Sequence, residues 1–291
     1  MRTMQQTQAL FSVNPKHAGR YIVTFFLLSY SGVVSFPFFW MVSNSFRMGR
    51  DILLDPYALP RRLTLQNYVN IFTNPTLSFP VFFKNSAIVT AGAILLALVL
   101  TSMAAYAFGR RRYQFPGRET LYALIFLSFM FPPQITLLSL FQLLVKYGLY
   151  NTLSSLILVY VASALPMNIY ILRSFFMQIP QDLEDAALID GCSDRMLFWK
   201  VMFPIARPAI LTTVMLNFVN FWNEFLYAVT YINDPKLRTL PLAQMFFIGE
   251  AYLDVGMLAA ALVISAMPLI IVYAFISEWF IRGMTAGAVK M

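Results

Sequence analysis

Glu184-Asp-Ala-Ala-Leu-Ile-Asp-Gly191, continued by Cys192-Ser-Asp-Arg-Met-Leu-Phe-Trp-Lys-Val-Met-Phe-Pro204, is the most polar stretch in the second half of this chain. It reads as two short helices joined by a bend. Pro180 and Asp182 suit a helix start, and Asp190-Gly191 is a stop or turn signal. Ser193, with Asp194 in the next turn, suits the N-cap of the second helix, and Pro204 and Pro208 punctuate its exit. A DNA-reading helix–turn–helix has this size, but it needs a soluble basic domain around it. Here the flanks are apolar segments of membrane length, so the stretch is a polar loop between spans.

Those flanks set the class of the chain. Of 291 residues, 59% are hydrophobic and 12% charged, where a globular domain carries about 25% charged residues. So little polar surface requires the bilayer as solvent. One Cys (Cys192) and one His (His17) allow no internal disulfide, no His/Cys metal cluster and no Cys–His or Ser–His–Asp arrangement. The net charge of +8 fits the Lys/Arg excess of cytoplasmic loops better than a nucleic-acid surface.

The expected fold is all-α and polytopic, with six transmembrane helices at about 21–42, 87–108, 121–144, 153–175, 208–229 and 255–280. Residues 1–20 form a cytoplasmic N-terminal tail, 21–280 the transmembrane domain, 176–207 the two-helix cytoplasmic loop and 281–291 a cytoplasmic C-terminal tail. The first span is too long for a signal-peptide core and lacks a cleavage site. Residues 43–86 form a long polar connection, with an amphipathic helix at Leu65–Phe72. The second span stops at Gly109-Arg110-Arg111-Arg112, the clearest cytoplasmic marker. Pro132-Pro133 kinks or unwinds the third. With the N-terminus inside, the cytoplasmic segments hold 13 of the 21 basic residues.

The polar loop resembles the cytoplasmic motif of ATP-binding-cassette importer permeases: Glu-Ala-Ala, three residues, Gly, nine residues, Ile-x-Leu-Pro. This chain carries Asp185-Ala186-Ala187, three residues, Gly191, nine residues, then Val201-Met202-Phe203-Pro204. Glu184 shares the acidic position, and Val201 and Phe203 are conservative departures. Asp182-Leu-Glu-Asp-Ala-Ala-Leu-Ile-Asp-Gly191 and the tail Arg282-Gly-Met-Thr-Ala-Gly-Ala-Val-Lys290 are similar to the carbohydrate-importing branch, in particular the second membrane subunit of maltose-type transporters. The likeness covers the last two-thirds of the chain closely and the rest loosely.

The resemblance implies the permease fold of type I importers in a bacterial inner membrane, with both termini cytoplasmic. It implies a second homologous permease, two ATPase subunits and an extracytoplasmic solute-binding protein as partners, beside membrane lipid and no nucleic acid. The chain has no G-x-x-x-x-G-K-[ST], so it is expected to be no enzyme, to bind no cofactor or metal, and to leave ATP and Mg to the partner ATPases. Glu184, Asp185, Ala186, Ala187, Asp190, Gly191 and Pro204 become the ATPase-docking residues. An apolar patch of Leu183, Ala186, Ala187, Leu197 and Val201 enters a groove, Glu184 or Asp185 pairs with a base there, and Gly191 supplies a positive-φ turn. Gly283, Thr285, Gly287 and Lys290 of the tail become ATPase contacts.

Polar residues inside spans mark the second candidate site. Asn217, Asn220 and Glu224 fall at i, i+3 and i+7, with Asn223 adjacent; they either line a sugar path, with Phe221, Trp222 and Tyr227 as stacking faces, or join helices. An ion-coupled carrier would show midmembrane carboxylates and internal repeats, and a subunit without transport would not need the loop. The same machinery carrying an anionic, uronate-type oligosaccharide is the alternative cargo, because Arg47, Arg50, Arg61, Arg62 and Lys84 outnumber Asp51 and Asp55 in the first loop.

Overall fold

In hydrocarbon each backbone polar group must be bonded within the segment, which leaves helices as the form an apolar chain of this kind takes. The computed structural model describes residues 15–73, 78–245 and 254–288, with side chains at 19–73, 78–245 and 254–276. Among the described residues there are helices and no strands. They form two units: one from the residues before 71 with Asp254–Val263, the other from those of 71–253 and from Ile264 onward.

The first unit holds α1 (Pro15–Ser45), α2 (Gly49–Leu54) and the start of α3 (Gln66–Thr73). Residues along α1 such as Phe25, Leu28 and Tyr30 are two-thirds exposed, a surface suited to lipid. The polar connection beyond it is ordered around a buried Arg47. Its guanidinium donates to Asn44 Oδ1 at 2.9 Å and to the carbonyls of Asp51 and Asp55 at 2.9 and 2.8 Å. Asn67 Nδ2 then ties α3 back to the carbonyls of Ser45 and Arg47.

The second unit is built on α4 (Phe79–Gly109) and α7 (Leu153–Phe176), its principal helix pair. Val89, Ala93, Ala97, Thr101 and Ala105 recur every fourth residue along α4 and are 0–1% exposed, none larger than Val. Small residues at this spacing let two backbones approach closely where no water drives helices together. Gly109 ends the series: a Cβ there would lie 3.2 Å from Phe176 Cβ and 3.3 Å from the Arg173 carbonyl.

Helix α4 begins eight residues before the expected 87. Pro80 sits in its first turn, where a missing N–H costs nothing. Asn85 and Ser86 look like loop residues but are buried, with Asn85 donating to the Lys236 and Arg238 carbonyls and Ser86 Oγ accepting from Leu240 N.

The Pro132-Pro133 stretch breaks its span into α5 (Arg118–Leu127), a 3-10 turn and α6 (Pro133–Lys146), bent by 105°. After α7 come α8 (Asp182–Ile189), α9 (Asp194–Ile205) and α10 (Arg207–Trp222), the last two meeting at 75°. The span expected at 208–229 is therefore interrupted: α10 ends at Trp222 and α11 (Leu226–Tyr231) restarts after it. A short α12 (Leu240–Gln244) precedes α13 (Val255–Ala288), whose helical backbone runs into the expected tail. Among the described residues four helices are long and apolar enough to cross a membrane, or six segments if each bent pair counts as one.

Polar bonds tie the unit at both ends. At the end where α4 starts, Asn151 N donates to Tyr231 O at 3.0 Å, and Asn151 Oδ1 accepts from Asn233 N and Asp234 N at 2.9 Å. At the other end Arg173 donates to Phe108 O and pairs with Glu119 at 2.9 Å.

The small-residue series makes a direct prediction. Ala97→Leu overpacks the α4–α7 contact and should cost about 1–3 kcal/mol, seen as a lowered melting temperature in detergent. Leu95→Ala, on a face that is 65% exposed, should change it far less; equal effects would remove α4–α7 packing as the source of the unit's stability.

Candidate functional site

The loop between α7 and α10 is built by local rules. Helix α8 carries Asp182, Glu184 and Asp185 in its first turn, where carboxylates favour the positive end of the helix dipole. It ends in a Schellman turn: Cys192 N donates to Ala187 O and Gly191 N to Leu188 O, both at 3.0 Å. Gly191 has φ 84°. A Cβ there would meet nothing within 4 Å, so the requirement for glycine is the backbone angle and not space. Ser193 then caps α9, its Oγ accepting from Met196 N at 3.4 Å.

Within α9 the turn Leu197–Met202 is a π-helix. Pro204 follows it; proline has no N–H to give and its ring crowds the carbonyl four residues back, and a widened turn relieves both. This register buries Leu197, Phe198 and Met202 against Tyr106, Leu172, Phe176 and Ile179.

One buried ion pair fixes the loop to the spans. Arg110 Nε donates to Glu184 Oε1 at 2.8 Å, with the two side chains 5% and 1% exposed. Tyr106 OH donates to the same oxygen at 2.9 Å. Arg110 Nη1 donates to the carbonyls of Phe176 and Ile179, where the chain leaves α7. A second, exposed pair joins Arg112 to Asp194 at 2.9 Å. Beneath it Tyr113 is pushed above its ordinary pKa by burial and then by the Asp194 charge, so its phenol stays neutral.

This geometry corrects two expectations. Glu184 cannot offer its carboxylate to a partner, because Arg110 and Tyr106 already enclose it. Leu197 is core and not patch, since the π-turn rotates it inward. Ala187 and Val201 are half-buried against the same cluster. The outward face instead presents Leu183, Asp185, Ala186, Asp190 and Ile189, the last 86% exposed. Arg110 itself was hidden among three arginines read as one topological marker. Its spacing of four from Tyr106, which puts both on one helical face, was the available signal.

The span residues separate. Asn217 is buried on α10 and Asn220 exposed. Asn223 is the helix C-cap, its side chain donating to Val219 O at 2.8 Å. Glu224 lies beyond Trp222, so the i, i+7 face does not reach it. Its carboxylate caps α11, accepting from Tyr227 N at 2.6 Å, Ala228 N at 3.2 Å and Tyr160 OH at 2.6 Å. Phe221, Trp222 and Tyr227 are buried, with Phe221 stacked on Tyr160 and Trp222 Nε1 bonded to Ser265 O; their rings serve packing. Gly283, Thr285 and Gly287 fall on the last turns of α13, with side chains outside the described range, and Lys290 lies outside the described residues.

The family model described as "Binding-protein-dependent transport system inner membrane component" matches residues 94–286. The trehalose/maltose transport system permease protein of Thermococcus litoralis is 37% identical over 257 residues, 88% of this chain and 91% of its own. The diacetylchitobiose uptake system permease protein of Streptomyces coelicolor is 34% identical over 266 residues, 91% of this chain and 87% of its own. A crystallised chain of a bacterial ABC transporter involved in import of the acidic polysaccharide alginate superposes with a TM-score of 0.79 over 92% of this chain and 98% of its own, at 21% identity. That last likeness is one of fold.

Removing one partner of a buried pair leaves an uncompensated charge. Arg110→Gln should therefore destabilise the loop by about 3–5 kcal/mol and open residues 176–207 to limited proteolysis. The double variant Arg110→Met/Glu184→Leu should recover much of that. Should the single variant resist protease as well as Arg112→Gln does, the buried pair is not what holds the loop.

Proposed function

We propose, from the premise that this chain belongs to the family of binding-protein-dependent transport inner membrane components and is a permease of the carbohydrate ABC importers, that residues 184–204 are its dock for an ATPase subunit. The observation that carries this reading is a loop exposed on one face and braced on the other. Leu183, Ala186 and Ile189 offer an apolar face with small residues for close approach. Asp185 and Asp190 offer the charge that fixes register. On the inner side Arg110–Glu184 and Arg112–Asp194 make α8 and α9 one body with the ends of α4 and α7, so that a push on the dock becomes a movement of spans.

In this reading the chain catalyses nothing. ATP and Mg bind the two ATPase subunits, a second homologous permease completes the pathway, and a solute-binding protein delivers an oligosaccharide from outside. Both termini lie in the cytoplasm, and Gly283, Thr285, Gly287 and Lys290 reach the ATPases. Asn217, Asn220 and Asn223 belong to the sugar path, where amides match hydroxyls, while Glu224 keeps the break between α10 and α11 in shape. An anionic cargo draws less support than the sequence alone lends it, because the buried Arg47 is spent on its own loop and is no counter-charge.

Co-purification from host membranes tests the dock. With the wild-type chain an ATPase, a second permease and a binding protein should be recovered together. Ile189→Arg places a charge on the docking face, and Gly191→Asp forces an L-residue into a left-handed angle at about 1–2 kcal/mol; both should release the ATPase and abolish sugar uptake while the second permease stays. Full ATPase recovery with both variants would end the docking assignment, and a wild-type chain without any ATPase would point to another energy source.

A further inference from the structure

Four arginines, Arg110, Arg111, Arg118 and Arg173, line one cleft of about 470 Å³ where α4 and α7 end and α5 begins. Their charges are not balanced. Glu119 pairs with Arg118 and Arg173, and Glu184 with Arg110, which leaves two guanidinium charges in excess. Arg111 is exposed and makes no hydrogen bond or ion pair among the described residues. Arg110 is 4% exposed, and its Nη2 donor has no acceptor. Arg173 is held in place by its face on the Tyr122 ring, 4.0 Å from the centroid.

Such a site calls for a compact anion with several acceptor oxygens and more than one negative contact, which describes a phosphate group better than a carboxylate. Its position names the source. The cleft lies where the membrane-length helices α4 and α7 end; Met177 in its lining, and Leu121 and Leu124 farther along α5, are 56%, 45% and 59% exposed. Those apolar side chains are suited to acyl chains running away from a headgroup. We propose that this cleft binds the phosphate of an anionic phospholipid, with Arg111 as its free cation and Arg118 and Arg173 as its preset walls. That the lipid belongs to the cytoplasmic leaflet rests on the orientation proposed above, and basic pockets on that side are suited to such headgroups. A lipid seated here touches the root of the same arginine that holds Glu184, and so ties the leaflet to the loop.

The full complex is reconstituted in nanodiscs of phosphatidylcholine with a minor share of phosphatidylglycerol, and phosphatidylglycerol retained through detergent washing is counted by native mass spectrometry. Arg111→Gln removes one surface cation and should weaken retention about five-fold, while Arg111→Lys should stay near wild type. Retention unchanged in Arg111→Gln overturns the proposal. In discs of phosphatidylcholine alone, inorganic phosphate followed by phosphorus-31 NMR should show no saturable binding; binding there that Arg111→Gln abolishes would make the ligand a soluble phosphate and overturn the lipid assignment. ATPase recovered in the same preparations separates the two readings: its absence counts against the dock, and the lipid count still decides the cleft.

Discussion

The buried contact between Arg110 and Glu184 fixes the register of segments that a shared apolar cluster already holds together. The arginine follows the end of α4, and its guanidinium donates to the carbonyls of Phe176 and Ile179, where the chain leaves α7, and to Glu184 in the first turn of α8. Such a pair is weak as a source of stability, because desolvation consumes most of the attraction. It is strong as a source of definition: neither charge has another place to go, so the loop has one position relative to the spans. The π-turn before Pro204 then sets Leu197 inward, and Ile189 stays on the outer face of the loop.

Elsewhere the bilayer does the work that water does for a soluble fold. Phe25, Leu28 and Tyr30 of α1, and Leu121, Leu124 and Leu127 of α5, are exposed among the described residues. The cohesion of α4 with α7 comes from a ladder of alanine, threonine and glycine that lets backbone approach backbone. The second unit is thus packed most closely along the α4–α7 seam.

Much of this was legible in the residues. Apolar stretches marked the spans, Pro132-Pro133 marked a break, and Asp190-Gly191 marked a positive-φ turn. What escaped depends on partners distant in the chain. Asn85 and Ser86 read as loop because hydropathy cannot see the carbonyls of Lys236 and Arg238 that satisfy them. Glu224 read as a residue on a helical face because nothing local shows that α10 stops at Trp222. Glu184 read as a docking acid because its partner lies in a run of arginines that looks uniform. The alanine ladder at 93, 97 and 105 was visible at its spacing of four, hidden only by the uniform hydrophobicity around it.

The polar ties at the two ends of the second unit also settle a matter of counting. Residues 110 and 184 are bonded to one another, so they stand on the same side of the membrane, and the chain between them must traverse it an even number of times. Helix α7 is one traverse; the bent pair α5–α6 must then be another, and not a hairpin that dips in and returns. The bonds between Asn151 and residues 231–234 make the same demand of the segment through α7 and α10. Parity, enforced by a handful of hydrogen bonds, turns two broken helices into complete crossings.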